Sequence, residues 1–88
     1  MHKLKVTNIP RWITEIHLKQ FFANCGKIVQ ASVALDPHTL RPLNFGYITF
    51  ADDVGTEKAL AKDGALLDGM KINVQIDVDV DIDVAAEV

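Results

Sequence analysis

The chain has 88 residues, of which 49% are hydrophobic and 24% charged, a composition typical of one soluble globular domain and not of a disordered chain. Its single cysteine excludes an internal disulfide and a cysteine-rich zinc site, and no apolar run is long enough to span a membrane. The net charge of −3 hides two regions, because residues 1–76 carry nine basic and seven acidic side chains whereas residues 77–88 carry five acidic ones. We therefore expect an intracellular protein, of unspecified compartment, with a mildly basic domain over 1–76 and an acidic tail over 77–88.

The first half of the chain predicts a strand, a helix and a second strand. Apolar residues alternate over residues 3–8, and Pro10 ends this strand. Thr14 is a favourable N-cap for a helix that Gly26 terminates, and residues 28–35 are rich in β-branched residues typical of a strand. The helix carries an apolar stripe formed by Leu18, Phe21, Phe22 and Cys25.

The second half predicts a strand, a helix and a last strand. Residues 43–50 alternate with aromatic side chains on one face, and Asp52 or Asp53 caps a helix that runs to about Ala61. An Asp-Gly turn at residues 68–69 precedes a strand over residues 72–76. The order β-α-β-β-α-β predicts an α+β, ferredoxin-like sandwich in which two helices cover one face of a four-stranded antiparallel sheet. The other face of the sheet is left to solvent or to a ligand.

The third strand carries a motif. Residues 43–50 read Leu-Asn-Phe-Gly-Tyr-Ile-Thr-Phe, and six of these eight positions agree in residue type with the first signature of the RNA recognition motif. The first strand, over residues 4–9, is similar to the second signature of that family. The two segments lie about 40 residues apart, as they do in the family, and the chain resembles it over residues 3–76.

The resemblance implies single-stranded RNA as the ligand and Phe45 and Tyr47 as platforms for unpaired bases. Strand alternation places both rings on the face opposite Gly46, Ile48 and Phe50.

Three positions depart from the family pattern. Lys5 replaces a third aromatic, Leu43 replaces a basic residue for which Arg41 is a nearby substitute, and Asn44 replaces a glycine. The first two departures together predict a weaker affinity for RNA than is usual in the family, or a dependence on partners, whereas the third is mild because asparagine tolerates positive φ.

Polar residues on the outer strands supply further candidate RNA contacts, because amide, hydroxyl and ammonium groups pair with base edges or phosphates. Asn8 has an alternative structural role in the turn after the first strand. The candidates for RNA contact are Thr7, Asn8, Gln30, Ser32, Thr49, Lys71, Asn73 and Gln75.

We expect Trp12, in the turn after the first strand, to cover the end of the core.

The sequence does not indicate an enzyme, a metal site or a cofactor. Three histidines, His2, His17 and His38, are scattered without metal-ligand spacing, Cys25 lies on an apolar stripe, and no glycine-rich phosphate loop opens a helix. The competing hypothesis is a protein-interaction module of the same fold that docks a partner through its sheet or its C-terminal strand.

The acidic tail continues the alternation of the last strand. Residues 76–84 read Ile-Asp-Val-Asp-Val-Asp-Ile-Asp-Val. Three hypotheses follow: the tail adds a strand to a second chain, its acids compete with RNA for Lys5 and Lys71, or it acts only as a solubilising segment.

Overall fold

The computed structural model describes residues 2–79 and contains a four-stranded antiparallel sheet with two helices against one face. The strand order in the sheet is β2-β3-β1-β6, and a separate two-stranded hairpin is formed by β4 and β5. The predicted ferredoxin-like fold is therefore confirmed, with one hairpin added. The elements in chain order are β1 (His2–Thr7), α1 (Glu15–Phe22), β2 (Ile28–Leu35), β3 (Pro42–Phe50), α2 (Asp53–Leu60), β4 (Leu66–Leu67), β5 (Met70–Lys71) and β6 (Asn73–Asp79).

The core lies between the helices and the inner face of the sheet. Burying a large apolar side chain completely contributes about 1.5–3 kcal/mol relative to leaving it exposed, so this layer is the main source of stability. Cys25 is only 4% exposed, as its position on the apolar stripe predicted. The largest fully buried side chains are Phe22, Phe50, Leu4, Ile9, Ile13, Leu18, Ile48, Ile72 and Val6.

Polar groups define the start of each helix. The Asp52 carboxylate accepts a hydrogen bond of 2.9 Å from the backbone N–H of Gly55, as expected for the cap of α2. At the start of α1, the Thr14 backbone N–H donates to Nδ1 of His17 at 3.0 Å, so a histidine ring closes this cap. Helix α1 ends at Phe22, about one turn earlier than the sequence predicted, and a turn leads from there to the buried Cys25.

The hairpin of β4 and β5 was not predicted, although its turn was. Asp68 and Gly69 both have positive φ values, 50° and 84°, the type I′ geometry that joins two antiparallel strands most tightly. Ile72 is buried between β5 and β6 and belongs to neither strand, so the last strand begins at Asn73 and not at residue 72.

Trp12 does not cover the core as expected. Its side chain is 51% exposed, and its indole N–H donates a hydrogen bond of 2.9 Å to the Asp68 carboxylate. The ring also packs edge-on against His17, with 4.8 Å between the ring centroids. The indole N–H finds its partner at the surface, and Trp12 therefore links the loop after β1 to the β4–β5 turn.

Strand β6 pairs with β1 along its whole length, from Asn73 opposite Thr7 to Asp79 opposite His2. An irregularity opposite Lys3 and Leu4 interrupts the register. The first three residues of the predicted acidic tail, 77–79, thus belong to the sheet. The remainder of the tail, 80–88, lies outside the described residues.

We predict that replacing Gly46 with alanine destabilises the domain by about 1–3 kcal/mol, the usual cost of overpacking. A Cβ on residue 46 would lie 2.5 Å from the carbonyl oxygen of Ser32 and 3.0 Å from Cδ1 of Leu18. The free energy of unfolding in urea measures this cost.

Gly69→Asn is the control, because a Cβ there meets no atom within 4 Å and asparagine tolerates positive φ. We expect it to cost less than about 1 kcal/mol. An unchanged stability of Gly46→Ala would contradict the close approach of β2 and β3.

Candidate nucleic-acid interface

The face of the sheet opposite the helices, here called the platform, carries three rows of side chains across the strands. Residues that lie opposite each other in antiparallel strands point to the same face, so the strand register defines each row. The middle row holds Ser32, Tyr47, Lys5 and Gln75. The row on one side of it holds Phe45, Thr7 and Asn73. The row on the other side holds Gln30, Thr49 and Lys3.

The two predicted aromatic residues lie side by side at the centre of the platform. The ring centroids of Phe45 and Tyr47 are 5.9 Å apart and the rings are perpendicular to each other. Both side chains are half-buried, whereas Gly46, Ile48 and Phe50 of the same strand are buried in the core. The alternation predicted for this strand is therefore present.

A lysine ammonium lies over each ring. Nζ of Lys5 is 4.8 Å from the centroid of Phe45, and Nζ of Lys3 is 4.4 Å from the centroid of Tyr47. Each such cation–π contact is worth about 0.5–1 kcal/mol at an exposed site, so a stacking base can displace the lysine at modest cost. None of the ten side chains in the rows is acidic. The platform is accordingly aromatic at its centre and positively charged above it.

Lys3 was not among the residues that the sequence reasoning selected. The signal was available, because Lys3 lies two residues before Lys5 and alternation places both on one face. Lys3 lies one residue before the motif segment over residues 4–9. The structure adds Lys3 to the candidate site because its ammonium contacts Tyr47.

Three predicted residues lie at the periphery of the platform or outside it. Asn8 has a φ of 60°, and its side-chain N–H donates a hydrogen bond of 2.8 Å to the carbonyl of Lys71, which joins the end of β1 to β5. Lys71 itself lies on the hairpin and its side chain runs beside Gly64. Arg41 is exposed in the β2–β3 loop, four residues before Phe45 and thus about 13 Å away along the strand.

The β2–β3 loop that carries Arg41 is organised by Asp36. The backbone N–H groups of His38 and Thr39 donate to its carboxylate at 2.8 and 3.0 Å. The hydrogen bond from Thr39, followed by the one from His38, holds the pKa of the Asp36 carboxyl below the usual 3.8. Backbone hydrogen bonds between Asp36 and Arg41, at 2.9 Å, and between Leu40 and Asp36, at 2.8 Å, close the loop.

Two further features of the described residues bear on the class of site. Within residues 2–79 there is no group of three or more histidine, cysteine, aspartate or glutamate side chains that could hold a metal ion. No helix in this part of the chain is both long enough and apolar enough to cross a membrane.

Comparison with known proteins identifies the class of this domain. A family model described as the RNA recognition motif matches residues 4–73. The 31 kDa chloroplastic ribonucleoprotein of Nicotiana sylvestris is 39% identical over 74 residues, which make up 83% of this chain and 24% of that protein. The chain belongs to the RNA recognition motif family.

Solved structures share the fold. One described as an RNA binding protein, PG1, superposes with a TM-score of 0.84 at 21% identity, covering 90% of this chain and 96% of that one. The Rna15 RNA recognition motif with bound RNA (GU) gives a TM-score of 0.79 at 23% identity, covering 97% and 93%. The present chain spans only 16% to 30% of the length of eight curated relatives that match it, so it corresponds to one part of those proteins.

We predict that the Asp36 carboxyl titrates with a midpoint below 3.8 in the folded domain. The charged form is the one that accepts the two backbone hydrogen bonds, so their contribution is present above 3.8 and is lost as the pH falls through the lower, folded-state pKa. A pH titration followed by the side-chain carboxyl carbon in NMR measures the midpoint.

Asp36→Asn provides the control, since the amide signals of His38 and Thr39 should then no longer follow that titration. A midpoint at or above 3.8 would contradict the hydrogen bonds that organise this loop.

Proposed function

We propose that this domain binds single-stranded RNA on the platform, with bases stacked on Phe45 and Tyr47. The observation that carries the proposal is the pair of adjacent rings on the open sheet face, each with a lysine ammonium within 5 Å of its centroid. Base stacking on an aromatic side chain is worth about 1–3 kcal/mol per base and tolerates any base. Membership in the family, a ribonucleoprotein relative and an RNA-bound structure of the same fold support the same function.

The lysines have a second role in this mechanism. A base that stacks on a ring takes the place of the ammonium, and the released Lys3 and Lys5 side chains then reach the phosphates that flank the base. The cation–π contacts of the free protein are exchanged for ion pairs with the backbone, which release counterions from the RNA. The free protein thus keeps both charges close to where the RNA binds.

The polar side chains beside the rings complete the proposed interface. Thr7 lies opposite Phe45, Asn73 lies beyond Thr7 in the same row, and Gln75 lies across Lys5 from Tyr47. Hydroxyl and amide groups at these positions pair with the edges of bases whose faces are stacked. Arg41, Asn8 and Lys71 lie further out, past the row that holds Phe45, where we propose that they meet the RNA beyond the stacked bases.

Strand addition by another protein chain is the second candidate function. It would use β6, which lies at one edge of the described sheet, where one side of its backbone has no neighbouring strand among residues 2–79. Salt separates the two functions, because backbone hydrogen bonds between strands depend on it little and phosphate contacts depend on it strongly.

We predict that the double variant Phe45→Ala, Tyr47→Ala weakens RNA binding by at least about 30-fold, because it removes two stacking platforms worth about 1–3 kcal/mol each. Fluorescence anisotropy with a pool of short single-stranded RNAs at low salt measures the Kd.

For the wild-type chain, contacts from Lys3 and Lys5 to two phosphates predict a slope of about −1.4 in a plot of the logarithm of the association constant against the logarithm of the salt concentration.

Phe21→Ala is the matched control. Phe21 is half-buried on the helical side of the domain and has a lysine ammonium, that of Lys62, 4.6 Å from its ring centroid. We expect its Kd to stay within twofold of wild type once circular dichroism shows a folded chain. Equal affinities of the double variant and the wild type would refute the platform as the RNA site.

A further inference from the structure

A small polar pocket opens on the platform beside Tyr47. It has a volume of about 50 Å³ and is lined by Lys3, Gln30, Ser32, Tyr47 and Thr49. These residues come from β1, β2 and β3, and the strand register brings them together from two neighbouring rows. The pocket is therefore built on the rigid part of the sheet and not on a loop.

The size of the pocket limits what it can receive. Sites that enclose a whole drug-sized ligand have volumes of about 300–1,000 Å³, several times larger than the 50 Å³ found here. The pocket accommodates the edge of a base and not a complete nucleotide. Since it borders the Tyr47 ring, the base whose edge it meets is the one stacked on Tyr47.

The side chains that line the pocket offer more hydrogen-bond donors than acceptors. The hydroxyls of Ser32 and Thr49 and the amide of Gln30 both donate and accept hydrogen bonds, so they adapt to either kind of base edge. The ammonium of Lys3 has three donors and no acceptor. Lys3 is also the only charged group among the five lining residues. A base that places an acceptor beside Lys3 gains a charge-assisted hydrogen bond, whereas an amino group at the same place is repelled.

We propose that Lys3 makes this pocket selective for keto bases, uracil and guanine, over the amino bases cytosine and adenine. Uracil and guanine carry an exocyclic carbonyl acceptor where cytosine and adenine carry an amino donor. This inference rests on the proposed function, because it assigns a specificity to the base that stacks on Tyr47. It does not depend on Lys5, which lies over Phe45 and does not line the pocket.

Lys3 is already held at the right place for this role. Its ammonium lies 4.4 Å from the centroid of the Tyr47 ring in the free protein. A base arriving on that ring displaces the ammonium toward the rim of the pocket, where the exocyclic group of the base comes to lie. A keto oxygen accepts a hydrogen bond from one of the three N–H groups of the ammonium and leaves the others for the adjacent phosphate, while an amino group drives the Lys3 side chain away.

The test compares two pairs of RNAs, and the members of each pair differ mainly at this exocyclic group. Fluorescence anisotropy is measured with oligouridine and oligocytidine of eight nucleotides, and with the purine pair oligoinosine and oligoadenosine, on the full 88-residue chain. We expect wild type to prefer the keto member of each pair by about tenfold, the worth of one hydrogen bond to a charged group. Lys3→Met, which keeps an unbranched side chain of similar shape and removes the charged ammonium, should reduce that preference to less than about twofold.

Lys5→Met is the matched control, since it removes one charge from the same strand without changing the pocket. We expect it to weaken binding to all four RNAs by a similar factor and to leave the keto preference intact. Equal binding of keto and amino RNAs by wild type, or a preference that survives in Lys3→Met, would overturn the selectivity of the pocket. Failure of wild type to bind any of the four RNAs would instead overturn RNA binding itself.

Discussion

The register of the central strand β3 is the constraint on which the rest of the structure depends. In a strand with one buried face, a slip of one residue moves every side chain to the opposite face. Here Ile48 and Phe50 are buried in the core, and Gly46 lies so close to β2 that even a methyl group would meet the Ser32 carbonyl. The same register that fills the core therefore brings Phe45 and Tyr47 to the platform, so the contacts that stabilise the domain also set the positions of these two rings.

The charge at the platform is determined by where individual lysines lie and not by the net charge of the chain. The domain is only slightly basic over residues 1–76, but two of its lysines, Lys3 and Lys5, lie directly over the platform rings. Local placement of charge matters more for binding than net charge, because the attraction between exposed charges is screened over about 8–10 Å at physiological salt. A chain with a net charge of −3 is consequently compatible with a phosphate-binding face.

Much of the fold was predictable from the sequence, because apolar residues alternate in the sequence of β1, β3 and β6, and Asp52, Thr14 and the Asp-Gly turn are strong local signals. The alternation also predicted the positions of Phe45 and Tyr47. Tertiary contacts were not predictable from local pattern. Trp12 is held at the surface by Asp68, which is 56 residues away in the chain, and the bulge in β6 is set by pairing with β1. The pocket beside Tyr47 is likewise formed by three strands that only the register brings together.

The most direct test of the central claim, that the platform binds single-stranded RNA, is an amide chemical-shift titration of the uniformly labelled chain with short single-stranded RNAs. We predict that shift changes concentrate on the alternating platform positions of β1, β3 and β6, with smaller changes on β2 and the β2–β3 loop. The amides of α1 and α2 should hardly respond. Shift changes confined to the helical face, or no response from a folded domain at low salt, would contradict the account.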